Sequence, residues 1–169
     1  MKKSFMFLVL LMMGVMLVGC SNDSTDSSVP PANKKADEGK ADKDKKPALV
    51  FFFNEVNSDV SKSQLVELQK NKKLFSKFHG DIYAVSRATK EQHNQLKKEL
   101  QLDFTLVSDP ELKISKKAKL VDKSAHQSLN GYAIFDKKGN VIYKEEVNTF
   151  GEEAEGIIYF ALQQIDDKK

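Results

Sequence analysis

Six consecutive apolar residues, Ala48-Leu49-Val50-Phe51-Phe52-Phe53, make the strongest pattern in the chain beyond its first twenty residues. A short unbroken run of branched and aromatic side chains predicts a strand buried on both faces. A polar stretch, Asn54 to Ser61, follows it, and then Leu65, Leu68, Leu74, Phe75 and Phe78 recur at helical spacing up to Gly80. Ser61 is the expected N-cap of that helix. Asp81 to Ser86 reads as a second strand, and Thr89-Lys90-Glu91-Gln92 has the form of a capping box opening a helix with Leu96 and Leu100. Phe104 to Val107 is a short extended segment. Ser108, Asp109 and Pro110 then offer an N-cap and a first-turn proline for a helix through Leu112, Ile114 and Ala118. Tyr132 to Asp136, the turn Lys137-Lys138-Gly139-Asn140 and Val141 to Val147 make a hairpin. From Gly151 to Ile165, the side chains Ile157, Ile158, Ala161, Leu162 and Ile165 lie on one helical stripe.

The order is therefore β-α-β-α-α-β-β-α. A helix between the first two strands makes them parallel with a right-handed crossover, and the final hairpin is antiparallel. The expected class is α/β: a thioredoxin-like fold with a mixed central sheet and helices on both faces, over residues 48–169.

Upstream of it the chain changes character. Lys2 and Lys3 precede Phe5 to Gly19, fifteen residues without a charge. A membrane span needs roughly 20 apolar residues, so the run reads as an export signal over residues 1–19. It ends in Leu17-Val18-Gly19-Cys20, which resembles the lipobox of bacterial lipoproteins. The resemblance implies cleavage before Cys20 and acyl chains on that residue, at about 0.8 kcal/mol per buried methylene. Residues 20–47 are then a lipidated terminus and tether. From Ser21 to Pro47 six acids balance six lysines and Val29 is the largest aliphatic side chain, a composition expected to stay disordered. The expected location is the cell membrane, on the side facing away from the cytoplasm.

Composition narrows the chemistry. The chain has 27 Lys+Arg against 24 Asp+Glu, and Lys2 and Lys3 of the leader account for two of the three net charges. The remainder is close to neutral, so no nucleic-acid partner is expected. One cysteine excludes an internal disulfide and a Cys-rich zinc site. His79, His93 and His126 stand apart without metal-ligand spacing, so no metal and no cofactor are expected. A Ser61–histidine–acid triad lacks the Gly-x-Ser-x-Gly elbow. Glu145-Glu146 reads as a solvated strand end, and Glu152, Glu153 and Glu155 as the acidic first turn of the last helix. The basic run Lys113 to Lys119 reads as a solvated face, with docking to an anionic lipid or polymer as the sharper alternative.

Three fragments carry a resemblance to a known family: Leu49 to Phe53, Phe104-Thr105-Leu106-Val107-Ser108-Asp109-Pro110-Glu111, and Ala133 to Tyr143. In composition and spacing they resemble the peroxiredoxins of the alkyl hydroperoxide reductase and thiol-specific antioxidant family, and the membrane-tethered thiol–disulfide lipoproteins. The middle fragment is the most specific. The resemblance implies a reactive thiol in the family's Thr-x-x-Cys, which falls here on Ser58-Asp59-Val60-Ser61. The Cys-x-x-Cys slot of the dithiol lipoproteins falls on Asn57-Ser58-Asp59-Val60, and the family arginine at or near Asn130. No cis-proline stands before Tyr132, where the chain reads Leu129-Asn130-Gly131. A seryl hydroxyl has no accessible anion near neutral pH and forms no sulfenic acid. Asn57, Ser58, Val60, Ser61 and Asn130 are thus expected to mark a degenerate redox site with no catalytic residue. The implied role is a lipid-anchored module that binds or scaffolds an envelope protein or peptide. Two alternatives stand beside it: peroxiredoxin-type activity that depends on a partner's thiols, and a small-ligand or metal carrier.

Overall fold

The computed structural model describes residues 45–166. The expected leader, Cys20 and the tether up to residue 44 lie outside these residues. Seven strands and four α-helices are described: β1 Ala48–Phe52, α1 Asp59–Lys70, β2 Asp81–Ser86, α2 Lys90–Leu100, β3 Thr105–Ser108, α3 Lys113–Ala118, β4 Val121–Asp122, β5 Gln127–Ser128, β6 Gly131–Phe135, β7 Val141–Glu146 and α4 Ala154–Asp166. The main sheet runs β3-β2-β1-β6-β7, and β4 pairs with β5 alone. Strand β1 pairs parallel with β2 and antiparallel with β6. The expected thioredoxin-like α/β arrangement is what the chain adopts.

Burial explains the arrangement. All five residues of β1 are buried, and its pleat divides them between two cores. Leu49, Phe51 and the following Phe53 pack with Leu65 and Leu68 of α1, Leu96 of α2, and Ile157 and Ile158 of α4. Ala48, Val50 and Phe52 pack with Val85, Phe135, and Ile114 and Ala118 of α3. The steps from β1 to β2 and from β2 to β3 run the same way across the sheet. Two right-handed crossovers in one direction put α1 and α2 on the same face. Helix α4 joins them there, and α3 covers the opposite face.

Several local expectations shift. The helical pattern from Leu65 to Phe78 is two pieces, α1 and a 3₁₀ segment Lys72–Lys77. Asn71 lies between them, and its side-chain Nδ2 donates to the Glu67 carbonyl at 3.0 Å, which competes with continued helix. The N-cap of α1 is Ser58, not Ser61, with Asp59 placing a negative charge in the first turn. Ser61 sits inside the helix and is buried. Helix α3 begins at Lys113, because Leu112 takes the left-handed backbone region (φ 56°) and Pro110 lies in the turn before it. The N-cap position is therefore Leu112, not Ser108 or Asp109, and the Asp109 carboxylate reaches the first turn from outside it, accepting from the Ser115 N–H and hydroxyl, each at 2.9 Å. The extended segment after Phe104 is an edge strand, parallel to β2. The small β4–β5 pair went unforeseen, since strands of two residues are too short for alternation to register.

The last helix is positioned through Gly151. Its N–H donates to Oε1 of buried Gln64 in α1 at 2.7 Å. A Cβ on Gly151 would stand 2.2 Å from the Gln64 carbonyl oxygen, so only glycine permits this approach. Gly151→Ala is expected to destabilise the fold by on the order of 2–3 kcal/mol through forced separation of α1 and α4. Urea unfolding measures this; a shift in midpoint no larger than that of Gly156→Ala, where nothing lies within 4 Å of the added carbon, refutes the contact.

Candidate functional site

In open α/β sheets, ligands bind beyond the carboxyl ends of the parallel strands. In this chain that edge holds a cavity of about 340 Å³ lined by Asn54, Asn57, Arg87, Gln92 and Gln127, with Glu55 at its wall. Each comes from a segment the sheet delivers there: the loop after β1, the exit of β2, the first turn of α2, and β5. The α2 turn is fixed by the expected capping box, in which the Gln92 N–H donates to the Thr89 hydroxyl and the Thr89 N–H to Gln92 Oε1. Arg87, the sole arginine of the chain, donates to the His126 carbonyl at 2.9 Å and holds the β4–β5 hairpin against the end of β2. Asn130, at the entry to β6, accepts the Asn54 N–H on Oδ1 at 3.0 Å and fixes the start of the loop after β1. The polar part of the wall is therefore four side-chain amides with one guanidinium and one carboxylate, beside the apolar Val56, Ala88 and Ala125, a set matched to the donors and acceptors of a peptide backbone.

The five positions singled out in the sequence divide here. Asn57 lines the cavity and is exposed, and Asn130 braces the loop that forms its wall. Ser58 is half-buried and its carbonyl accepts the Lys62 N–H at 3.0 Å. Val60 is 57% exposed, whereas Ser61 is 3% exposed; neither lines the cavity. Among the described residues Ser61 makes no hydrogen bond to a histidine, and His79 and His126 are exposed. No group of three or more His, Cys, Asp or Glu among the described residues is placed to hold a metal.

Sequence reasoning missed two clusters. Ser86 and His93, both buried, meet at 2.8 Å between Oγ and Nε2, with the His93 ring 5.8 Å from that of Phe53. Phe53, Ser86 and His93 are chain neighbours of Asn54, Arg87 and Gln92, so the pair stands behind the cavity wall. Among the described residues Nδ1 of His93 has no hydrogen-bond partner, and burial pushes the imidazole pKa down to about 4. The second cluster is on β6 and β7, where Tyr132 and Tyr143 both donate to Glu145 Oε2, at 2.8 and 3.0 Å. Burial raises both phenols above their ordinary range, Tyr132 strongly, so they remain protonated donors. Glu145, exposed as expected at the strand end, thus also organises a stacked tyrosine pair. No motif signals either cluster, because each joins residues through packing across elements.

A mixed five-stranded sheet, its helices and a cavity beyond β1 and β2 define a redoxin-like domain of the thioredoxin class. The model of the AhpC/TSA family matches residues 21–144, and the chain belongs to that family. Solved structures agree on the fold. The chain is similar to Enterococcus faecalis AhpC, with a TM-score of 0.62 and 18% identity over 70% of this chain and 73% of that one. It is similar to the reduced 2-Cys peroxiredoxin of Plasmodium vivax, with a TM-score of 0.63 and 23% identity over 73% and 80%. It also matches the bacterioferritin comigratory protein of Xanthomonas campestris, studied for alkyl peroxide reduction, with a TM-score of 0.57 and 15% identity over 69% and 77%. No curated protein sequence matches the chain.

The buried imidazole makes stability depend on pH. His93 titrates near 4 when folded and near 6.5 when unfolded, so the unfolded chain binds the extra proton between these values. Stability is expected to be undiminished above pH 6.5 and to fall as pH drops toward 4, by at most about 3 kcal/mol from this group. Urea midpoints across pH 4 to 7 for the wild type and His93→Gln check this. Parallel profiles for the two proteins contradict it.

Proposed function

We propose that this chain is a non-catalytic member of the AhpC/TSA family, held at the outer face of the cell membrane by lipid on Cys20, that binds an extended segment of an envelope protein. The peptide-binding surface is the amide-lined cavity beside Asn54, Asn57 and Arg87. One observation carries the reading: the only sulfur nucleophile in the sequence is Cys20, and residues 48–169 contain no cysteine. Reduction of a peroxide by this family's route needs a thiolate that becomes a sulfenic acid. Ser58 and Ser61 provide hydroxyls at the positions that resemble the family's thiol motif, and Ser61 is buried in α1. The lipobox-like Leu17-Val18-Gly19-Cys20 supports the use of that thiol for acylation.

Family membership and the peroxide-reducing activity named for the Xanthomonas campestris neighbour favour a second reading, in which peroxide reduction runs on a partner's thiols. Two measurements separate these. The full chain in its membrane, with a thiol reductant, is expected to consume hydrogen peroxide and an alkyl hydroperoxide no faster than membranes lacking it; added turnover transfers the assignment to the second reading. A photo-reactive side chain at Asn57 is expected to capture one envelope protein reproducibly, and one at exposed Gln163 of α4 is not. Equal labelling from both positions removes the binding assignment. For the anchor, a labelled palmitate is expected in the wild type and absent from Cys20→Ser; label retained in the variant refutes acylation there.

A further inference from the structure

A second cavity, of about 550 Å³, lies on the other side of the β4–β5 hairpin and is lined by Leu112, Lys116, Lys119, Val121, Lys123 and His126. Its volume is that of an ordinary small-molecule site. Four of the six residues carry basic side chains and none is acidic. The nearby acids are held in local contacts, with Glu111 also in electrostatic reach of Lys116 and Asp122 of His126, so three lysines and a histidine face two carboxylates. Glu111 pairs with Lys113 at 2.7 Å, and the Asp122 carboxylate accepts from the Ser124 hydroxyl and from the Ser124 and Ala125 amides. Lys144, which lines a neighbouring cavity, donates to the Lys119 carbonyl at 3.3 Å. Lys116 spends one donor on the Glu111 carbonyl, and among the described residues Lys119 and Lys123 form no ion pair.

Backbone conformation singles out the same place. Among the described residues four non-glycine residues have positive φ, and three of them, Leu112, Lys119 and His126, line this cavity. A left-handed residue ending a helix is usually glycine, which bears no Cβ strain. Here α3 is preceded by Leu112 and followed by Lys119 in that conformation, so side chains are kept where a glycine would be easier. The cavity thus holds Leu112, Val121 and lysine stems as apolar surface, with ammonium groups at their ends. No side-chain amide or hydroxyl lines it to satisfy a peptide backbone.

From this chemistry we infer that the cavity binds a single-chain amphipathic carboxylate of the fatty-acid class, its tail on Leu112 and Val121 and its carboxylate among Lys116, Lys119 and Lys123. The site is separate from the cavity at the ends of β1 and β2. Calorimetric titration of the full chain carrying Cys20→Ser, so that no acyl group of its own competes, tests this with decanoate as the probe. Decanoate is expected to bind one site saturably, with decanol and acetate each weaker by about tenfold or more, since both the tail and a charge-assisted contact are needed. Lys119→Glu with Lys123→Glu is expected to reduce decanoate affinity by about tenfold or more, both positions being exposed. Lys119→Gly relieves the left-handed backbone, so it is expected to melt no lower than the wild type while binding decanoate more weakly. Decanol equal to decanoate, a triglutamate peptide tighter than decanoate, or unchanged binding in the charge-reversed or Lys119→Gly chain each overturns the inference.

Discussion

The fold depends on one strand having no solvent side. Strand β1 carries five buried residues in sequence, so it is stable only with a neighbour along each edge and a packed layer over each face. Strand β2 satisfies one edge and β6 the other, and Phe51 and Phe52 enter opposite cores. Truncating either ring removes packing of about 3–5 kcal/mol. The ring of Phe51 also contacts Phe150 at 5.5 Å and Tyr132 at 6.5 Å, joining the segment before α4 to β6 through one side chain. The carboxyl end of this strand is consequently packed on both faces, and the loop leaving it supplies part of the wall of the candidate binding cavity.

That loop connects the fold to its chemistry. In the sequence it is a polar stretch between two apolar patterns, with hydroxyls at Ser58 and Ser61. In three dimensions it is gripped by Asn130 and faced by Arg87, so that a thiol-poor chain retains a shaped crevice in the region its family resemblance marks as reactive. A shaped crevice and an activated nucleophile are separable properties of a protein scaffold. The proposal that this chain keeps the first without the second follows from composition as much as from geometry.

The order of the main elements along the chain, the parallel β1–β2 pair and the β6–β7 hairpin were readable because hydrophobic runs, turn residues and capping signals are local, whereas the place of β6 beside β1 in the sheet was not. The all-apolar run at Ala48 and the Thr89–Gln92 box are examples, and both are found as expected. Features set by competition between near-equal local options were not readable. Asn71 chooses its side-chain bond over continued helix, and Leu112 turns left-handed so that Asp109 reaches the first turn of α3 from outside it. The candidate site was half legible. Asn57 and Asn130 were found through resemblance, whereas Arg87 and Gln92 reach the cavity from other elements, and no spacing in the sequence reports that convergence.

The hydrogen bond from Asn54 to Asn130 spans 76 positions of sequence. Ribosomes deliver the amino-terminal side of that bond first, and the antiparallel partner of β1 arrives only with residues 131–135. Until then the most apolar segment of the domain has an open edge of unpaired backbone, the state most prone to sticking to other chains. The contacts that lock the central strand therefore form only when most of the domain has been synthesised, so its folding is governed by long-range closure and not by local structure.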